Sequence, residues 1–229
     1  MPDPAILATA VGRRFAGRWA VRDVSLTVAQ GESVLVHGAN GSGKTTLLRV
    51  LASAISPTAG SVTVLGKPAI EARSKVGLLS HADGHYDELS GRDNLELAVK
   101  LGHLPDRIDA VLERVGLAAR AGDAVRGYSA GMRKRLAFAR LLLKAPPVVL
   151  MDEPYAALDP AGHQFVDELC AEFSAQGATV LISTHQVGRV AQWCDRAIRM
   201  DQGRLGWSGD ASELRTRPAD AVAAAEERA

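Results

Sequence analysis

Nine consecutive residues constrain this chain more than anything else in it: Gly38-Ala39-Asn40-Gly41-Ser42-Gly43-Lys44-Thr45-Thr46. They match the pattern GxxxxGK[ST] and stand between an apolar β-branched run at 33–36 and an apolar run with helical spacing at 47–51. That context separates a phosphate-binding loop from an ordinary glycine-rich turn. Glycines let successive backbone N–H groups turn inward onto phosphate oxygens, and the helix behind them adds the positive end of its dipole. Lys44 is then expected to reach β and γ phosphates, and the Thr45 hydroxyl to face Mg²⁺. Such a loop needs a strand to launch it and a helix to receive it, so the fold must contain both.

The 229 residues suffice for one large domain or two small ones, and 47% of them are apolar, which is enough for a well-buried core. Short buried strands are expected at 34–36, 62–65, 76–79, 148–151 and 180–182, interleaved with helical patterns. This is an α/β arrangement whose sheet is parallel at its centre. Residues 6–28 alternate apolar and polar, as in Val24-Ser25-Leu26-Thr27-Val28, the pattern of an antiparallel sheet with one exposed face. From about 80 to 126 the chain is polar and broken by turns, with helical spacing at 94–101 and 108–117. We read it as a helical subdomain inserted into the α/β core. Beyond Arg215 no apolar face remains, and a frayed tail is expected over 216–229.

Composition removes several function classes. Lys plus Arg number 27 against 26 Asp plus Glu, so there is no net field of the kind that grips nucleic acid, and no nucleic-acid partner is expected. Cys170 and Cys194 stand in no CxxC pair and at no metal-ligand spacing, which suits a reduced cytosolic setting and two small buried hydrophobes. Trp193 is read as packing. The opening Met1-Pro2-Asp3-Pro4 lacks the features of a secretory signal, and no stretch approaches 18 consecutive apolar residues. The chain is therefore expected neither to cross a membrane nor to be exported by itself.

A second chemical signal is the apolar run that begins at Pro146-Pro147 and ends abruptly in Asp152-Glu153-Pro154. Ligands bind at the carboxyl ends of parallel strands. There the first carboxylate, Asp152, is placed for the Mg²⁺ shell, while the second, Glu153, can act as the base that polarises a water.

Between the two motifs lies Tyr128-Ser129-Ala130-Gly131-Met132-Arg133-Lys134-Arg135-Leu136, followed by a helical apolar stripe. Here the chain resembles the nucleotide-binding subunit of ABC transporters, whose signature LSGGQ precedes a helix leading to the acidic strand. Ser129 and Gly131 match that signature, and Tyr128, Ala130 and Met132 depart from it. The resemblance implies a P-loop NTPase fold of the ABC ATPase type, spanning residues 1–215, with a mixed, largely parallel core sheet. An antiparallel N-terminal β-subdomain and a helical subdomain at about 80–140, inserted in a RecA-like core, complete it. It implies ATP and Mg²⁺ as ligands. It further implies that Ser129 and Gly131 act on the nucleotide of a second ATPase subunit paired head to tail, a homodimer in the simplest case. By the same resemblance Asp159, in Ala157-Leu158-Asp159, belongs to the loop joining the two subunits. His185, in Ser183-Thr184-His185, is the γ-phosphate switch, and Phe15 is the adenine-stacking aromatic.

One departure lies at His81, where the family usually carries a Gln that touches Mg²⁺ and hinges towards the membrane subunit. With that His, the chain resembles most closely the ATPase of the haem exporter used in cytochrome c maturation. The implied function is to power a separate transmembrane permease from the cytoplasmic face of the membrane, with haem, or a drug or lipid, as cargo. The soluble ABC machines of repair and translation carry coiled coils, zinc modules or a tandem ATPase. Small P-loop kinases and GTPases lack the signature, and no NKxD guanine motif occurs here.

Overall fold

The alternation at 6–28 becomes two antiparallel strands, β1 (Ile6–Phe15) and β2 (Arg18–Val28), joined through Ala16 and Gly17 in the left-handed region. They open a computed structural model that describes residues 3–80 and 84–215. His81 and the expected tail at 216–229 lie outside the described residues. Next come β3 (Ser33–His37), α1 (Lys44–Leu51), β4 (Ala59–Val64), β5 (Lys67–Pro68) and β6 (Val76–Leu79). Three helices follow, α2 (Gly91–Gly102), α3 (Ile108–Arg114) and α4 (Ala130–Lys144). The chain then runs through β7 (Val148–Asp152), α5 (Pro160–Ala175), β8 (Thr179–Ser183), α6 (Val187–Val190), β9 (Arg196–Asp201) and β10 (Arg204–Asp210).

The strands form two sheets. One is antiparallel with order β2-β1-β4-β5; the other has order β10-β9-β3-β8-β7-β6, parallel except for the β9–β10 hairpin. The segment at 62–65 therefore differs from its expected place among the core strands. It pairs antiparallel with β1, and the first three residues of β4 are exposed while only Val62 and Val64 are buried. Its β-branched residues report burial on one face of a sheet, which both sheet types can supply.

The core strands β3, β7 and β8 are buried at every position, as parallel strands covered on both faces must be. Their residues divide between two apolar clusters by strict alternation. Leu35, Val149, Met151, Val180 and Ile182 face helices α4 and α5, whereas Val34, Val36, Val148, Leu150 and Leu181 face α1 and the antiparallel sheet. Phe138 of α4 meets Phe165 of α5 edge to face at 5.5 Å. Truncating Phe138, fully buried, would cost about 3–5 kcal/mol. Cys170 and Cys194 are buried free thiols within the same cluster, and burial pushes both well above the ordinary thiol range.

Helices α2, α4 and α5 begin where side chains supply their missing acceptors. Ser90 and Asp93 make a reciprocal capping box on α2, Ser129 Oγ accepts from Met132 N–H at the start of α4, and Asp159 Oδ1 accepts from Gly162 N–H on α5. These three caps fix the entry angles of the helices on one face of the parallel sheet.

Candidate functional site

The glycine-rich loop leaves β3 at His37 and enters α1 at Lys44. Two of its glycines are dictated by space. A Cβ on Gly38 would stand 2.2 Å from Met200 O and one on Gly43 2.4 Å from Ala20 O, and both residues hold positive φ, 139° and 105°. The loop is pinned from outside as well: Gly203 N–H donates to Ser42 O at 2.9 Å, and Arg22 N–H to Gly203 O at 2.7 Å. Strand β2 and the β9–β10 turn thus clamp the loop from residues distant in sequence. Lys44 folds over it, its Nζ donating to Gly38 O at 2.5 Å and Ala39 O at 3.0 Å. Ser42 Oγ is buried without a hydrogen-bond partner. A buried spare hydroxyl and an ammonium held over a glycine-rich turn at a helix N-terminus are groups suited to an anion.

The acidic strand end lies beside it. Thr45 Oγ1 donates to Asp152 Oδ2 at 2.7 Å, and Ser183 Oγ donates to Asp152 Oδ1 at 2.5 Å. Asp152 is 1% exposed, so this carboxylate is fixed on both oxygens inside the fold. A hydroxyl and a carboxylate in contact are hard oxygen ligands of the kind Mg²⁺ takes alongside phosphate oxygens. Among the described residues no group of three or more His, Cys, Asp or Glu gathers to hold a metal.

Glu153 follows in the left-handed region, φ 47°, with its N–H donating to Ser183 O at 2.9 Å. For a residue with a side chain that conformation costs about 1–2 kcal/mol. His185 Nε2 lies 3.4 Å from Glu153 Oε1 and 3.0 Å from Asn40 Oδ1, so the imidazole bridges the acidic turn and the glycine loop. Lys44, Thr45, Asp152, Glu153 and His185, expected from separate motifs, meet in one connected cluster with Asn40.

The other expected residues form two further places. Ser129 is exposed and Gly131 packs so close to the next loop that an added Cβ would sit 3.1 Å from Ala157 O. Asp159 caps α5 and lies 3.8 Å from Arg135 Nη2. Phe15 stands 44% exposed at the tip of the β1–β2 hairpin with the Arg13 guanidinium 4.6 Å from its ring centre. Trp19, the other aromatic of this hairpin, instead lies over Gly12, where an added Cβ would touch its ring at 2.8 Å. Gly41, Thr45 and Asn40 are exposed and Ala39 and Thr46 half-buried, so the loop presents its outer rim to solvent.

Two contributors had no sequence signal of their own. Ser183 reaches Asp152 only because β7 and β8 pair in the register Asp152 to Ser183. Lys134, buried on α4, directs its Nζ to the Glu153 carbonyl at 3.4 Å. The register was the missing information in the first case and the tilt of α4 in the second.

A sequence profile of the ABC transporter family matches residues 21–156. The daunorubicin resistance ATP-binding protein DrrA3 of Streptomyces coeruleorubidus is 38% identical over 94% of this chain and 71% of its own length. The Nod factor export ATP-binding protein I of Rhizobium johnstonii is 34% identical over 87% of this chain and 67% of its own. Among solved structures, the dimeric ATP-binding cassette MJ0796 in a post-hydrolysis state with ADP and Pi superposes with a TM-score of 0.81. It is 24% identical and aligns over 90% of this chain and 98% of its own. The phosphate loop, the acidic strand end and the family profile converge: the chain belongs to the ATP-binding subunits of ABC transporters, an ATPase that works on ATP with Mg²⁺.

Proposed function

We propose that residues 1–215, with the helical part at about 80–140, form an ATPase domain that pairs head to tail with a second copy and powers export through a separate membrane permease. The pairing is supported by the dimeric cassette of like fold, and the export direction by the Nod factor export relative. Among the described residues no helix is long and apolar enough to cross a membrane, which suits a peripheral subunit on the cytoplasmic face.

In this reading the backbone N–H groups from Gly38 to Thr46 cradle the phosphates of ATP. Lys44 exchanges its two loop carbonyls for the β and γ phosphates. Thr45 and Asp152, already in contact at 2.7 Å, would hold Mg²⁺, which would supply charge neutralisation for the phosphates. Glu153 takes a proton from the attacking water, and His185, already 3.4 Å from its carboxylate, contacts the γ-phosphate. Phe15 stacks on adenine. Ser129 and Gly131 close on the partner copy's nucleotide, with Asp159 in the joining loop. The contact of Glu153 with His185 at the mouth of the phosphate loop is the observation that carries this assignment.

Replacing the base, Glu153→Gln, should keep ATP binding, slow turnover by about 10²-fold or more, and accumulate an ATP-bound dimer in gel filtration. Hydrolysis at the wild-type rate would remove Glu153 from the mechanism.

Haem is a narrower cargo within the same reading, supported by His81 in the Gln position. A drug or lipid is the broader cargo, the drug supported by the daunorubicin-resistance relative. Deleting the gene separates them: loss of c-type cytochromes marks haem, and sensitivity to amphiphilic drugs marks the broader class.

A further inference from the structure

Lys134 brings an ammonium into the fold at 6% exposure, although the steps above give it no task. Burying such a charge is costly, so the groups it faces are informative. Its Nζ lies 3.4 Å from the carbonyl oxygen of Glu153, the residue that turns through the left-handed region at φ 47°. That same carbonyl accepts from Ala156 N–H at 3.2 Å, and the Glu153 N–H is committed to Ser183 O. The peptide on both sides of the strained residue is thus tied down.

The first two turns of helix α4 meet this loop at three points. Gly131 approaches Ala157, Lys134 reaches Glu153, and Arg135 Nη2 lies 3.8 Å from Asp159 Oδ1. The helix begins at Ser129, so a shift of α4 moves contacts at the middle, start and end of the loop that carries the acidic turn.

We propose that Lys134 is a positioning residue for the hydrolytic base: its ammonium holds the Glu153 carbonyl so that the left-handed turn aims the carboxylate at the phosphate loop. Through it, the placement of α4 sets how well the base is aimed. A positive charge beside a carbonyl in a low-dielectric interior is stronger than the same contact in water, which suits it to offset backbone strain. This rests on Glu153 being the base.

The test compares the purified chain with Lys134→Met, which keeps the stem and drops the donor, and Lys134→Gln, which restores a donor without charge. Single-turnover hydrolysis is measured at concentrations where copies pair, alongside ATP affinity and thermal unfolding. Lys134→Met should hydrolyse about tenfold more slowly with ATP affinity within about twofold, and Lys134→Gln should recover at least half of the loss. In a Glu153→Gln background Lys134→Met should slow nothing further. Wild-type turnover in Lys134→Met overturns the proposal, as does a loss shared equally by turnover and ATP affinity. A Lys134→Gln variant that melts like wild type yet stays as slow as Lys134→Met overturns it too. If Glu153→Gln alone leaves turnover intact, the base assignment fails, a result separate from any of these.

Discussion

The phosphate loop with its acidic neighbours and the start of α4 with its adjoining loop sit on one chain yet are built in opposite ways. Asp152 is 1% exposed and hydrogen-bonded on both oxygens, and the glycine loop is clamped by β2 and the β9–β10 turn. Ser129 and Asp159 are exposed and do local work, each capping a helix, with Asp159 beside Arg135 across 3.8 Å. The first region is preorganised by the fold that surrounds it. The second presents a hydroxyl and a carboxylate on an exposed surface.

Substitutions can break that contrast, and the largest effect belongs to the clamped region. Gly43→Ala forces a Cβ to within 2.4 Å of Ala20 O at φ 105°, so the loop must shift. We expect about 1–3 kcal/mol of lost stability and ATP binding weakened about 10²-fold or more in a fluorescent-nucleotide titration. Unchanged binding would mean that the clamp is dispensable. In the open region Ser129→Ala should remove an N-cap worth about 1 kcal/mol and leave ATP binding by the single chain intact. Hydrolysis by the pair should fall about tenfold. A matching fall in single-chain ATP affinity would place Ser129 in its own chain's pocket and erase the distinction.

Phe15 lies between the two cases, exposed but on a strand hairpin. Phe15→Ala should weaken ATP binding by about 1–3 kcal/mol, the worth of one base stacked on an aromatic, while turnover at saturation changes less. Trp19→Ala should instead lower thermal stability, because its ring covers Gly12, and leave affinity alone. Reversed results would move the stacking role to Trp19.

The smallest effect is electrostatic and belongs to the helical region. The Arg133 guanidinium holds the Asp87 carboxyl below the ordinary range, and the Ser90 hydroxyl and N–H do the same for Asp93. A carboxylate whose pKa is depressed by folding stabilises the folded state above its unfolded pKa, and that contribution fades as pH falls towards the folded value. Both groups are exposed, so the expected change is small. Amide protection factors at the start of α2, with the intrinsic pH dependence of exchange divided out, should fall below the ordinary carboxylate range, and Asp93→Asn should remove part of that fall. Protection factors flat with pH would deny both carboxylates any role in holding α2.

What the sequence disclosed follows the same divide. The phosphate loop and the Asp152-Glu153 pair were legible because their chemistry is local: a fixed spacing of residue types at the end of an apolar strand. Helices α2 and α3 were legible from spacing at 94–101 and 108–117, and the capping box at Ser90 fixes where α2 starts. Residues 62–65 were assigned to the wrong neighbourhood because one buried face looks alike in either sheet. Ser183 and Lys134 remained silent, since a serine in an apolar strand and a lysine in a basic helix start acquire meaning only through register and tilt.

Strand β7 divides its residues between two apolar clusters while carrying Asp152 at its end, and this makes its length a gauge. Deleting one residue from it would exchange every side chain between the deletion and Asp152 from one core to the other and draw the carboxylate back by about 3.3 Å. The hydroxyls of Thr45 and Ser183 would then face empty space. Point substitutions at Val148, Val149 or Leu150 change only volume, which a core absorbs in part. For this strand, insertions and deletions are the intolerable class of change, and a lineage can exchange apolar side chains of similar volume at Val148, Val149 and Leu150 only while it keeps the count.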